Sequence, residues 1–136
     1  MKPDRNGACP CGTGRKAKRC CLQSVEGAVP AADPEALLRA RFCAYAWGAV
    51  DYLMATTSGA AVSRDPAWSA KLVEYCSAVS VVDLEIFESE TGQDTGSVRY
   101  RARLTHHGSP FAIEEHALYA RVNGRWTYSG SRETPG

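Results

Sequence analysis

Four cysteines crowd the first twenty-one residues of the chain, and this cluster constrains the fold more than any other feature. Cys9, Cys11, Cys20 and Cys21 form the pattern C-x-C-x(8)-C-C, in which a proline and two glycines bend the intervening backbone. Four thiolates that converge on one point are a ligand set for tetrahedral zinc, and a site filled by four protein ligands leaves no open position for a substrate. The spacing therefore predicts a zinc knuckle with these four ligands, which folds a segment and does not catalyse a reaction.

Disulfide bonds are the alternative use of these cysteines. Adjacent Cys20 and Cys21 would pair with each other only through a strained ring, so two bridges would have to reach back to the first cysteine pair. The polar N-terminus is not followed by the apolar run of a secretory signal, so we expect a cytoplasmic protein whose clustered cysteines bind metal. Cys43 and Cys76 have apolar neighbours at helical spacing, which predicts buried free thiols without a metal role.

The length of 136 residues allows one ordinary domain and a small appendage. An apolar content of 44% is enough for a core, and no apolar stretch approaches the length of a membrane span. Residues 23–32 are small and aperiodic, which predicts a linker. We therefore divide the chain into a knuckle at 1–24 and a main domain at 25–136, and we expect removal of the metal to unfold the knuckle alone.

Helical signals dominate the first half of the main domain. Asp33 followed by Pro34 predicts a helix start, and apolar residues then recur on one face until Gly48. Asp51 predicts the start of a short second helix, and Asp65 with the following proline predicts a third.

The second half changes to a period of two, which is typical of strands. Alternating apolar residues over 82–86, 98–105 and 111–122 predict half-buried strands. Asn123-Gly124 predicts a two-residue hairpin into a last strand at 125–128. Helices followed by an antiparallel meander make an α+β domain.

These residues also carry a resemblance to a known family. The segment CPCGTGRKAKRCC is similar to the SEC-C motif, the zinc-binding element also found at the C-terminus of the SecA translocation ATPase. The stretches PEALLRARFCAYAWGAVDYLMATT and EEHALYARVNGRWTYSG resemble the YchJ-type family of bacterial proteins, and the matches together cover nearly the whole chain. The resemblance implies a nuclear-transport-factor-2-like (NTF2-like) cone, in which about three helices pack on a bent antiparallel sheet. It also carries zinc ligation over to Cys9, Cys11, Cys20 and Cys21.

The chain departs from the motif at two positions. Ala17 stands where many SEC-C motifs have an aromatic residue, and Leu22 follows the cysteine pair where glycine is common. Both changes concern packing around the knuckle, and neither removes a ligand.

A pocket between the helices and the sheet is a second candidate site. Its candidate acids or bases are Glu114, Glu115, His116 and Asp51. The sequence leaves open which face of the strand that carries residues 114–116 points inward. Alternatively, Glu115 is only the salt-bridge partner of an arginine such as Arg121 or Arg39. No Ser/His/Asp set, phosphate loop or HExxH appears, so we expect a binding protein rather than an enzyme. The candidate pocket residues are Trp47, Tyr52, Trp68, Glu115, His116, Tyr119 and Trp126.

Basic charge is concentrated in the knuckle, where six of the sixteen Lys and Arg residues lie within residues 1–22 beside one acidic residue. This charge either offsets the thiolates of the metal centre or contacts an acidic partner. We predict a zinc-binding accessory or adaptor protein that docks through its knuckle on a protein or ribosome-associated partner. The candidate contact residues are Arg15, Lys16, Lys18 and Arg19.

Two alternative functions stay open. A small-molecule binder or enzyme is favoured if Glu115 or His116 lines a cavity with several aromatic residues. A nucleic-acid binder is favoured if the basic knuckle residues form one surface with the outward arginines Arg99, Arg101 and Arg103.

Overall fold

The structure is a computed structural model that describes residues 3–132. Helices come first and strands second, which confirms the predicted α+β order. The helices are α1 (Cys21–Val25), α2 (Pro34–Trp47), α3 (Val50–Ala55) and α4 (Trp68–Ala78), and the strands are β1 (Val79–Thr91), β2 (Thr95–His106), β3 (Ser109–Val122) and β4 (Arg125–Arg132).

Helix α2 has the predicted bounds, because both of its ends carry strong capping signals. The Asp33 carboxylate accepts a hydrogen bond from the amide of Ala36 at 2.7 Å, and Pro34 occupies the first helical position. Gly48 ends the helix with φ of +66°, a left-handed conformation that glycine adopts without steric cost.

Two predictions about the other helices need correction. Helix α4 begins at Trp68 rather than at Asp65, because the Asp65 carboxylate accepts from the amide of Ala67 at 2.8 Å and closes a turn before the helix. The predicted linker at 23–32 is helical at its start, since α1 continues to Val25.

The sheet is a four-stranded antiparallel meander in the order β1-β2-β3-β4. The hairpin between the last two strands is formed by Asn123 and Gly124, with φ of +52° and +78°, as the sequence predicts. In β1 the register shifts between Val81 and Asp83, so Val82 is 59% exposed and does not share the inner face.

The core lies between α2 and the inner face of the sheet. Leu37 and Leu38 of α2 pack in one cluster with buried side chains of β2, β3 and β4, and Phe42 packs in a second cluster with residues of β1 and β2. Within residues 3–132 no helix combines the length and the apolar character that crossing a bilayer requires.

A further cluster joins the knuckle to the domain. Leu22 of α1 and Ala40 and Cys43 of α2 are buried together with the cysteines of the knuckle. The linker is therefore not the only connection between the two parts of the chain.

Candidate metal centre and tyrosine pocket

The knuckle is a tight reversal of the chain held by backbone hydrogen bonds. The amide of Cys9 donates to the carbonyl of Arg15 at 2.8 Å, and Gly12 and Gly14 make the reversal with φ of +89° and +82°. A single 3-10 turn at Ala17–Arg19 then leads into α1. This path returns the second cysteine pair to the first.

Four buried sulfurs lie within 4.8 Å of one another, and they belong to Cys9, Cys11, Cys21 and Cys43. The sulfurs of Cys9 and Cys43, for example, lie 3.5 Å apart. Thiolates bound at about 2.3 Å in a tetrahedron around zinc are about 3.8 Å apart. The four side chains therefore form a cluster that can hold a metal ion.

Cys20 occupies a different position at the same centre. Its sulfur lies 3.6 Å from that of Cys11 and 4.0 Å from that of Cys21, and it also contacts the Thr13 hydroxyl at 3.2 Å. The residue is half-buried and lies outside the set of four mutually close sulfurs. Its role as a ligand remains a prediction.

Cys43 is the residue at this centre that the sequence reasoning missed. It lies on α2, and it was expected to be a free thiol without a metal role because its apolar neighbours recur at helical spacing. The structure instead places its sulfur among the knuckle cysteines. The sequence holds no spacing signal for this contact, because 34 residues separate Cys43 from Cys9.

Arg39 fastens the loop of the knuckle to α2. Its guanidinium donates to the backbone carbonyl of Cys11 at 2.7 Å, and its other side approaches the Glu35 carboxylate at 3.6 Å. The hydrogen bond orients the backbone next to a clustered thiol, a role that residues outside the ligand set commonly fill in metal sites.

The candidate contact residues of the knuckle remain available to a partner. Arg15, Lys16 and Arg19 are exposed and Lys18 is half-buried. Within residues 3–132 none of the four lies within 4.0 Å of a carboxylate, whereas Arg5 pairs with Glu26 at 2.7 Å. Their positive charge is therefore not neutralised by acidic side chains of this part of the chain.

The outward arginines of β2, Arg99, Arg101 and Arg103, form an arginine stripe whose charge, unlike that of the knuckle residues, is neutralised. Each arginine of the stripe is paired with a carboxylate on a neighbouring strand. The pairs are Arg99 with Glu88 at 3.5 Å, Arg101 with Glu114 at 2.7 Å and Arg103 with Asp83 at 3.6 Å.

A cavity of about 460 Å³ lies between α2, α4 and the inner face of the sheet. Its most frequent lining residue is tyrosine, since it contains five of the six tyrosines of the chain. These residues are Tyr45, Tyr75, Tyr100, Tyr119 and Tyr128. A cavity of this size and aromatic character is suited to a small ligand.

Glu115 supplies the central polar group of this pocket. The Tyr100 hydroxyl donates to its carboxylate at 2.6 Å, and the hydroxyls of Tyr128 and Ser131 donate to the other carboxylate oxygen. Burial and the neighbouring Glu115 carboxylate raise the pKa of Tyr100. Burial and its own hydrogen bond to Glu115 raise the pKa of Tyr128 to about 12. Both phenols therefore stay protonated donors at neutral pH.

Glu115 has no basic partner in the described part of the chain, where no Lys, Arg or His nitrogen lies within 4.0 Å of it. Of the two arginines considered as its partners, Arg39 contacts Cys11 and Glu35, and Arg121 lies over the Trp126 ring.

Arg41 forms part of the pocket wall. It donates to the carbonyl of Leu53 at 2.8 Å and to the hydroxyls of Thr56 and Thr57, which ties α2 to the end of α3. Its guanidinium carbon lies 5.1 Å from the centroid of the Tyr128 ring, a cation–π distance.

The structure separates the predicted pocket residues into several places. Glu115 and Tyr119 line the tyrosine cavity, so their side of β3 faces inward. His116 points to a different depression, which it shares with Phe87 and Arg99.

The four remaining candidates also lie away from the tyrosine cavity. Tyr52 and Trp126 line a crevice beside the segment 24–31, Trp47 packs against the knuckle cluster, and Trp68 is half-buried at the start of α4. The pocket tyrosines on α2 and α4 were missed, because sequence does not show which helical aromatic residues meet a given strand.

Two solved structures share this architecture along nearly the whole chain. A SEC-C motif containing protein from Rhodopseudomonas palustris is 26% identical, and its solution structure superposes with a TM-score of 0.79 over 94% of this chain and 99% of that one. A second SEC-C motif containing protein, from Psychrobacter arcticus, is 18% identical and shows the same fold with a TM-score of 0.72 over 96% of this chain and 83% of that one.

Family models identify both parts of the chain. Residues 5–23 match the SEC-C motif, which agrees with the cysteine cluster at this end. Residues 33–131 match the middle NTF2-like domain of YchJ, which agrees with helices packed on an antiparallel meander. The chain therefore belongs to the YchJ-like family and carries a SEC-C motif in front of its NTF2-like domain.

Proposed function

We propose that this chain is a zinc-binding accessory or adaptor protein that docks on an acidic surface of a protein or ribosome-associated partner through its knuckle. The observation that carries the proposal is a group of three basic side chains on the knuckle, Arg15, Lys16 and Arg19, which are exposed and have no acidic partner within residues 3–132. Unpaired charge on a rigid support attracts and orients an acidic partner.

Zinc is the metal that this donor set favours. Thiolate sulfur is the only ligand atom that the cluster offers, and its members are buried. Soft sulfur ligands in a tetrahedral arrangement select zinc over the hard cations magnesium and calcium. A bound zinc ion would hold the basic loop in one conformation, so that docking would not have to order it.

The paired arginines of β2 favour a protein or ribosome-associated partner over a free nucleic acid. A nucleic-acid interface requires a continuous basic surface, whereas Arg99, Arg101 and Arg103 are each accompanied by a carboxylate. The positive charge of this stripe is thus balanced by carboxylates, whereas that of Arg15, Lys16 and Arg19 on the knuckle is not.

The test compares two triple variants that remove equal charge. Replacing Lys16, Lys18 and Arg19 with Gln should leave the zinc content unchanged, because thiolate bonds supply the folding energy of the knuckle. Association with purified ribosomes and with acidic proteins captured by the parent should weaken and become less dependent on salt. The control replaces Arg99, Arg101 and Arg103 with Gln. If both triple variants retain the binding and salt dependence of the parent, the knuckle charge does not mediate docking.

A second candidate function is favoured by Glu115. We propose that the tyrosine pocket binds a small ligand with a cationic group, because the carboxylate has no basic partner in the described residues and is surrounded by aromatic rings. Aromatic faces attract organic cations, and a carboxylate supplies the counter-charge.

Calorimetric titration tests this pocket with choline and its uncharged isostere 3,3-dimethylbutanol. We expect choline to bind more tightly than the isostere, and Glu115→Gln to remove the difference. Glu85→Gln, at an exposed position of β1, is the matched control and should retain it. Equal affinity of the parent for both compounds would contradict a cation site.

A further inference from the structure

We infer that Cys43 of α2 is a ligand of the metal centre, and that the metal ion thereby joins the knuckle to the NTF2-like domain. The inference rests on the metal-binding part of the proposed function and is independent of the docking partner. It assigns a ligand from outside the SEC-C segment, which ends at residue 23.

The position of the sulfur is the first argument. Cys43 is 0% exposed, and its sulfur lies 3.5 Å from that of Cys9. It is one of four buried sulfurs that are all mutually within 4.8 Å, as a tetrahedral site requires. Cys76 is the other cysteine outside the motif, and it is half-buried and does not belong to this set.

The second argument compares Cys43 with Cys20, because five cysteines surround a centre with four positions. Cys9, Cys11 and Cys21 are common to the sequence-predicted set and to the four buried sulfurs. Cys20 is half-buried and contacts the Thr13 hydroxyl at 3.2 Å, so its thiol has both water and a polar partner when it is not a ligand.

Cys43 lacks these alternatives. Its fully buried sulfur faces the other clustered sulfurs, and the residues packed around it include Leu22 and Ala40. If Cys20 took the fourth position, Cys43 would remain a buried neutral thiol that offers the neighbouring thiolates only a weak S–H hydrogen bond, whereas coordination would give its sulfur a bond to the metal. Coordination by Cys43 avoids this arrangement and leaves Cys20 at the solvent side.

This assignment gives the metal a structural role beyond the knuckle. Arg39, one turn before Cys43 on α2, already holds the Cys11 carbonyl, and Arg41 and Phe42, immediately before it, line the tyrosine cavity. A bond from the metal to Cys43 would therefore fix the part of α2 that lies between the two candidate sites.

Cobalt substitution of the full chain tests the assignment. Cobalt(II) in a four-thiolate site gives a sulfur-to-metal charge-transfer absorption whose intensity scales with the number of thiolates. We compare the parent with Cys43→Ser, Cys20→Ser and the control Cys76→Ser. The absorption of Cys43→Ser should be weaker by about a quarter, because one thiolate of four is lost. Its zinc affinity, measured by chelator competition, should be at least about tenfold lower. Cys20→Ser and Cys76→Ser should keep the spectrum and affinity of the parent.

Two outcomes would overturn the inference. The first is an unchanged spectrum and affinity in Cys43→Ser, and the second is loss of one thiolate in Cys20→Ser alone. Circular dichroism monitors folding, and Cys43→Ala provides a second variant in case a buried serine hydroxyl disturbs α2. A parent protein that binds no metal would instead contradict the proposed zinc function itself, so the two failures are distinguishable.

Discussion

At the scale of single residues, Gly96 determines how closely α2 can approach the sheet. A Cβ atom at this position would lie 2.5 Å from Cγ of Pro34 and 2.7 Å from the carbonyl oxygen of Glu90. Both distances are shorter than van der Waals contact, and one of the two neighbours is backbone that cannot rotate away. The absence of a side chain at Gly96 thus allows the capped start of α2 to rest on β2.

We expect Gly96→Ala to lower the free energy of unfolding by about 1–3 kcal/mol, the usual cost of overpacking. Urea denaturation monitored by tryptophan fluorescence measures this loss. Thr95→Ala, at the exposed neighbouring position, should change stability by less than about 0.5 kcal/mol. Equal effects of the two substitutions would show that α2 can move to accommodate the methyl group.

Tyr100 makes the stability of the domain sensitive to alkaline pH. Its pKa is raised by burial and by the Glu115 carboxylate, so the folded protein holds the phenol proton more tightly than the unfolded chain. This contribution to stability is complete below about pH 10 and is lost as the pH rises through the raised pKa. Tyr100→Phe cannot ionise, so its free energy of unfolding should fall less steeply than that of the parent above about pH 10. Parallel pH profiles of the two proteins would refute this explanation.

The candidate metal centre shows which residues sequence can and cannot assign. Cys9, Cys11 and Cys21 are predictable because their spacing is local and the turns between them are short. Cys43 and Cys76 both appear as helical cysteines with apolar neighbours, and only the packing of α1 on α2 distinguishes them. Tertiary contacts of this kind leave no mark in the spacing of a single sequence.

At the scale of elements, α2 organises both candidate sites. Arg39 and Cys43 contact the knuckle, whereas Arg41, Phe42 and Tyr45 line the tyrosine cavity. Helical geometry permits this arrangement, because residues about two positions apart project toward different sides of a helix. The position and the ends of α2 therefore matter to both sites.

We expect Asp33→Ala to cost about 1 kcal/mol of stability, because it removes the hydrogen bond to the Ala36 amide at the start of α2. Asp33→Asn should recover most of the loss, since its side-chain oxygen can still accept the bond. Thermal unfolding followed by circular dichroism measures both changes. A similar loss in the Asn variant would show that the charge of Asp33, rather than its capping bond, is responsible.

Elements with strong local signals were predicted correctly. The bounds of α2 and the Asn123-Gly124 hairpin are confirmed because capping and turn geometry are fixed by a few adjacent residues. The start of α4 was placed too early, because Asp65 closes a separate turn. The inward side of β1 was partly misassigned at Val82, because a register shift interrupts the alternation and sequence gives no sign of it.

At the scale of the whole molecule, the knuckle and the NTF2-like domain share a buried interface. The small residues of 23–32 predict a linker, and with it a knuckle that unfolds independently of the domain. In the structure, however, α1 packs on α2, and the knuckle and the domain share a buried cluster. Cys11 is held by Arg39 from the domain. Loss of the metal would leave several buried thiols at this interface without a common partner.

We therefore expect removal of the metal to destabilise the NTF2-like domain as well as the knuckle. Binding to the folded state alone stabilises that state, and a ligand on α2 extends this stabilisation to the domain. A chelator should lower the melting temperature of the domain, followed by tryptophan fluorescence, by at least about 4 °C. This shift corresponds to a loss of roughly 1 kcal/mol in the free energy of unfolding. In Cys43→Ser the shift should be smaller, because the knuckle could then bind metal without holding α2. A domain transition at the same temperature with and without chelator would show that the interface survives without the metal and that the two parts are energetically separate.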